Sequence, residues 1–146
     1  MRGRQTLYSP TFDGMVELHR GGIGVALTHL AAAPESFKGW FDAAVWRPWY
    51  AALWAEAGVL AALPDRRSRL DRARYVVRGS PIASAIIDRA DALDNGDTDR
   101  LLATAAALDA AGCRYQRART LVFAGGAARA EGESIMSAIG ATPTAT

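Results

Sequence analysis

The last third of this chain consists of short helical stripes separated by only two or three turn residues, and that spacing leaves few folds open. Ile82, Ile86, Ala90 and Leu93 fall on one helical face, broken by Asp94-Asn95-Gly96-Asp97. Leu101, Ala105 and Leu108 mark the next stripe, which closes at Ala111-Gly112. Tyr115, Ala118 and Val122 form a third, stopped by Gly125-Gly126, and Ala128, Gly132, Ile135 and Ile139 a fourth. Connections this short force each helix to run antiparallel to its neighbour, so the pattern predicts stacked α-hairpins.

Composition agrees with helices. The chain has 146 residues, half of them hydrophobic, and 31 are alanine, the strongest helix former and small enough to let helices approach closely. A domain of this size buries roughly 70% of its unfolded surface without covalent staples. The single Cys113 excludes a disulfide framework and a multi-cysteine metal site and fits a reducing compartment. No run is long and apolar enough to span a membrane, and Met1-Arg2-Gly3-Arg4-Gln5-Thr6 is not followed by the apolar core of a secretory signal. The expected location is the cytoplasm. A net charge of +2 does not demand a polyanionic partner.

Upstream, residues 1–13 carry the turn residues Ser9-Pro10 and Asp13-Gly14 and little periodicity, which predicts an extended or frayed start. Met15 to Leu18 reads as the end of a helix turning at His19-Arg20-Gly21-Gly22, a half-hairpin consistent with a chain that starts partway into a longer array. Ile23, Ala26, Leu27 and Leu30 follow as a stripe ending before Pro34. Trp46, Trp49, Tyr50, Leu53 and Ala57 predict a helix with Pro48 in its first turn, and Trp54 and Leu60 widen its face so that neighbours touch it from two sides. Leu70, Ala73, Val76 and Val77 give a narrow apolar face with arginines opposite. Ser80-Pro81 predicts a capped helix start, and Asp97 a second cap. Gly112-Cys113-Arg114-Tyr115-Gln116-Arg117-Ala118 reads G-x-x-Y-x-x-A: glycine to leave one helix, tyrosine as a wedge, alanine for close approach. It is one residue longer than the tetratricopeptide turn.

Three stretches, Trp49-Tyr50-Ala51-Ala52-Leu53-Trp54-Ala55-Glu56-Ala57, Arg89-Ala90-Asp91-Ala92-Leu93 and Gly112 to Leu121, together with the close from Gly125 to Pro143, carry a family likeness. Over residues 14–143 the chain resembles the tetratricopeptide-like region of LuxR-type actinobacterial regulators and their adenylate-cyclase-linked mycobacterial relatives. The resemblance implies a helical sensor or coupling segment. In that family such a segment follows an ATPase module and often precedes a helix-turn-helix. This sequence has no Walker-type phosphate loop, no cyclase domain and no evident helix-turn-helix after Pro143.

Few residues propose chemistry. Gly21-Gly22-Ile23-Gly24 lacks the strand, third glycine and acidic partner of a dinucleotide site, and Gly125-Gly126 lacks the lysine of a phosphate loop. His19 and His29, ten residues apart, do not share a helix face for a metal. Cys113 beside Arg114 has no nearby histidine, and the carboxylates read as surface charge beside arginines, as in Asp71 with Arg74 and Asp88 with Arg89. Two surfaces keep functional weight. One is the aromatic group Trp40, Trp46, Trp49, Tyr50 and Trp54, with Phe41, a source of interface or pocket area. The other is the basic face Arg66, Arg67, Arg69, Arg72, Arg74 and Arg78, able to hold phosphates or an acidic protein surface.

The expectation is therefore an all-α array of about seven antiparallel helices, a tetratricopeptide-like α-hairpin stack over residues 14–143. It is expected to be a non-catalytic module for protein interaction or signal relay in transcriptional regulation. No catalytic, cofactor or metal residues are expected, nor membrane or direct sequence-specific nucleic-acid binding. The partner would be another protein or a second copy. The alternative is a sensor holding an apolar small molecule among the aromatic-rich helices, where a closed cavity walled by tryptophans would distinguish it from a flat apolar patch.

Overall fold

A computed structural model describes residues 7–37 and 43–142, and these are all-helical, with eight α-helices, one short 3-10 turn and no strand among the described residues. In order they are α1 (Tyr8–Arg20), α2 (Ile23–His29), the 3-10 turn (Pro34–Phe37), α3 (Ala43–Leu60), α4 (Arg66–Val76), α5 (Pro81–Asn95), α6 (Thr98–Ala110), α7 (Arg114–Ala124) and α8 (Gly126–Ala138). Each helix packs on its successor, so the chain advances as helical hairpins. No helix among the described residues is long and apolar enough to cross a membrane.

The N-terminal helix differs from expectation, since residues 8–13 are helical and not extended. Pro10 sits in the first turn, where a helix has no use for its missing N–H. Leu7, Thr11, Gly14 and Leu18 are buried at i, i+4, i+7 and i+11. Thr11 Oγ1 donates back to the Leu7 carbonyl at 2.6 Å, so a polar side chain is satisfied on the inward face. A threonine and a glycine at two of four inward positions hide this stripe from a count of apolar residues.

α3 is the hub. Every residue from Tyr50 to Val59 is buried, and α3 packs against α1, α2, the 3-10 turn, α4 and α5. Ala51, Ala52, Ala55, Ala57 and Gly58 keep its surface thin enough for neighbours on several sides. Pro48 lies at the sixth residue of α3 and not in its first turn. It leaves the Ala44 carbonyl without a backbone donor, and because Ala44 is exposed, water can take that place.

The later helices follow their sequence signals closely. Asp97 caps α6, its Oδ1 accepting from the Arg100 N–H at 3.0 Å. Pro81 opens α5, but Ser80 makes no side-chain cap, and Ser84 Oγ instead donates to the Val77 carbonyl of the preceding turn. Gly112 takes φ +73° in the α6–α7 turn and lets Cys113 N–H reach the Leu108 carbonyl at 2.9 Å. Gly132 is where α8 meets α7: a methyl group there would stand 2.6 Å from the Ala118 carbonyl oxygen. In α8 the buried residues are Gly132 and Met136, while Ile139, placed inward by periodicity, is exposed.

Candidate functional site

An apolar core gathered around α3 runs from Leu7 to Ala90. Beside it, where α7 comes in against α5, lies a buried charged cluster. Glu56 of α3, Arg89 of α5 and Arg119 of α7 are each 0% exposed. Glu56 Oε1 accepts from Arg89 Nε at 2.6 Å and Glu56 Oε2 accepts from Arg119 Nη1 at 2.6 Å. Arg89 Nη1 also donates to Gln116 Oε1 at 2.8 Å and to Thr120 Oγ1 at 3.1 Å, both on α7. The Phe123 ring covers the pair, its centroid 5.0 Å from the Arg119 guanidinium carbon and 5.9 Å from that of Arg89. Close backbone contact between α3 and α7 is slight, and the Glu56–Arg119 bond links them.

The two guanidiniums favour the carboxylate form of Glu56. Burial pushes the Glu56 carboxyl up, but the charges of Arg119 and Arg89 and their hydrogen bonds outweigh it and hold the group below its ordinary value. Burial lowers the Arg89 pKa, and the neighbouring Arg119 charge adds to that against the pull of Glu56. A carboxylate held this way is a weak base, and its immediate role is to orient α5 and α7 on α3.

A seam joins the two ends of the chain next to this cluster. The Tyr115 hydroxyl of α7 lies 3.1 Å from His19 Nδ1 of α1, and His19 Nε2 lies 3.2 Å from Thr142 Oγ1. Gln116 Nε2 donates to Met15 Sδ at 3.7 Å. Burial lowers the His19 pKa, Arg119 and Arg20 lower it further, and a hydrogen bond to the Thr142 backbone opposes them. Tyr115, expected as a wedge within its own hairpin, thus reaches across to the first one.

Five of the six arginines of the basic face, all but Arg78, are ion-paired within the chain. Arg66 and Arg67 pair with Asp94, Arg67 and Arg74 with Asp91, and Arg74 also with Asp88. Arg69 pairs with Asp65 and Arg72 with Glu35, while Arg78 stacks over Tyr75 at 4.6 Å. The expected local pairings, Asp71 with Arg74 and Asp88 with Arg89, give way to these contacts between helices. Asp94 is held below its ordinary pKa chiefly by the Arg66 hydrogen bond. At Asp91 the bonds from Arg67 and Arg100 overcome the burial that raises it. Arg66–Arg78 therefore acts first as the α4 half of an α4–α5 ion-pair lattice.

The aromatic group divides among three neighbours. Trp46 packs edge-on against Tyr8 and Phe12 of α1, with centroids 5.4 and 5.3 Å away. Tyr50 is buried, meets Phe37 edge-on and donates to the Ala32 carbonyl at 2.7 Å. Burial pushes its pKa up to about 12. Trp54 is buried under the Arg69 and Arg72 guanidiniums at 4.6 and 5.0 Å. Trp49 is half-buried, and Trp40 and Phe41 lie outside the described residues. What remains outward-facing is Trp46 with exposed Tyr8 and Val45. A separate open cleft of about 430 Å³ between the start of α5 and the end of α6 offers mostly alkyl groups, from Pro81, Ile82, Ala107, Ala110 and Ala111.

Sequence reasoning missed Glu56, Arg89 and Arg119, though each left a trace. Glu56 is the only charged residue between Pro48 and Pro64. Arg89 falls on the Ile82–Ile86–Leu93 stripe, and Arg119 sits four residues after Tyr115 beside Ala118. A charge on an apolar face asks for a buried partner. No protein-family model, no curated protein and no solved structure matches this chain.

Proposed function

We propose that this chain is a non-catalytic, tetratricopeptide-like stack of antiparallel α-hairpins, serving protein interaction or signal relay in transcriptional regulation. Its packing order supports the stack: α1, α3, α5 and α7 touch in sequence while each also packs on its own following helix. The setting in transcriptional regulation rests on the resemblance of residues 14–143 to the helical region of LuxR-type regulators.

The observation that carries the interaction reading is the aromatic outcrop of Tyr8, 53% exposed, with half-buried Phe12 and Trp46 packed against it, and 63% exposed Val45 preceding Trp46 in the chain. Large apolar side chains grouped at the surface with an aromatic anchor are the composition of an interface centre. The interior ionisable groups favour binding over catalysis, because Glu56 is committed to two guanidiniums. The partner is a protein segment or a second copy, and the second copy can be tested on the purified chain. Light scattering after gel filtration over a tenfold concentration range is expected to show a dimer that Val45→Glu returns to monomer. A monomer at every concentration, identical for the variant, contradicts self-association through this outcrop.

A further inference from the structure

The cluster of Glu56, Arg89 and Arg119 is unbalanced in charge and in hydrogen bonds. One carboxylate faces two guanidiniums, a net charge of +1 among side chains that are 0% exposed. Burying an uncompensated charge is costly, and so is a buried donor without an acceptor. Three such donors are present: Arg89 Nη2, Arg119 Nε and Arg119 Nη2 have no partner among the described residues.

Their arrangement is specific. Arg119 gives only Nη1 to Glu56, which leaves Nε and Nη2 unused. Those two nitrogens form the edge of a guanidinium whose parallel N–H bonds match the two oxygens of a carboxylate or phosphate. The ring of Phe123 covers the guanidinium face, so binding is directed to the edge. The α1–α7 seam adjoins the cluster through Gln116, whose Oε1 accepts from Arg89 Nη1 at 2.8 Å and whose Nε2 donates to Met15 Sδ at 3.7 Å. Close backbone contact between α1 and α7 is slight, and the His19–Tyr115 and Met15–Gln116 side chains bridge them. Side-chain bridges part at lower cost than an interdigitated helix interface.

We propose that Arg119 and Arg89 form a receptor for a small oxyanion, a carboxylate or a phosphate group, reached through the α1–α7 seam and held bidentately by the Nε–Nη2 edge of Arg119. One bound anion cancels the buried charge and occupies the two free donors of the Arg119 edge. The site is independent of the Tyr8–Val45 outcrop, so either proposal can fail alone.

The test titrates the full chain with inorganic phosphate and, separately, with acetate, at ionic strength held constant with sodium chloride. Melting temperature and the arginine Nε–H resonances in nitrogen-15 spectra are read together. The expected result is a saturable rise of about 5 °C or more at a hundredfold excess over Kd. The Nε–H signals of Arg119 and Arg89 are expected to shift with the same midpoint. Phosphate alone acting identifies a phosphate site, and acetate acting identifies a carboxylate site. Arg119→Lys keeps the charge but removes the fork, and at least tenfold weaker binding is expected. The spectra of the unaltered chain decide the matter even if that variant folds poorly. Effects no larger than those of chloride, non-saturable, with the buried Nε–H signals unmoved, overturn the proposal.

Discussion

Replacing Glu56 by glutamine probes the interior with almost no change of shape. The carboxylate accepts one bond from each arginine at 2.6 Å, and all three side chains are 0% exposed. Glutamine offers one oxygen in place of two and turns an amide NH2 toward a guanidinium. It also leaves two buried positive charges without a counter-charge. Removing one member of a buried ion pair costs about 3–5 kcal/mol. For a chain of this size each kcal/mol moves the midpoint by roughly 2–4 °C, so a fall of about 6–20 °C is expected. Thermal unfolding followed by circular dichroism at pH 7 measures it, with Arg129→Gln as control. Arg129 and Glu133 are paired at the surface, where loss of the pair costs about 0–1 kcal/mol. A Glu56→Gln midpoint within about 2 °C of the unaltered chain refutes the reasoning, because the carboxylate would then carry no buried charge-pairing.

Acid should destabilise the fold in two stages. His19, Glu56, Asp91 and Asp94 all have pKa values below their ordinary ones, so the folded chain binds fewer protons than the unfolded chain. Stability is then lost as pH falls below about 6.5 through His19, and more steeply below about 4.5 through the carboxylates; urea midpoints from pH 8 to 3 measure it, and a rise on acidification would contradict it. Gly132→Ala puts a methyl 2.6 Å from the Ala118 carbonyl oxygen, and strain of about 1–3 kcal/mol should outweigh the gain in helix propensity, read as a lower urea midpoint. Asp97→Ala removes the α6 cap and should cost about 1 kcal/mol in the same assay.

The helices were legible where their sequence is simple. α5 to α8 follow apolar stripes divided by glycine turns, and Asp97 announced its cap because a capping carboxylate acts on backbone within three residues of itself. α1 was not legible from Tyr8 onward, because its inward face spends Thr11 and Gly14 where a periodic count seeks large apolar residues. The charged cluster was harder still. Glu56 and Arg119 are 63 residues apart in sequence, and nothing local states that two charges on separate apolar faces will meet. The arginines of α4 looked like a surface awaiting a partner because their acids, Asp88, Asp91 and Asp94, belong to the next helix. The aromatic stripe was visible, but its division among α1, the 3-10 turn and α4 depends on tertiary packing.

The most direct test of the central claim, that the chain closes around Glu56, Arg89 and Arg119, is a double-mutant cycle between Glu56→Gln and Arg119→Met read by urea unfolding. Contact between the two side chains predicts a coupling of about 2–3 kcal/mol, the double variant losing much less than the sum of the single ones. Additive losses would mean that α3 and α7 do not meet through these residues, and would contradict both the fold and the site.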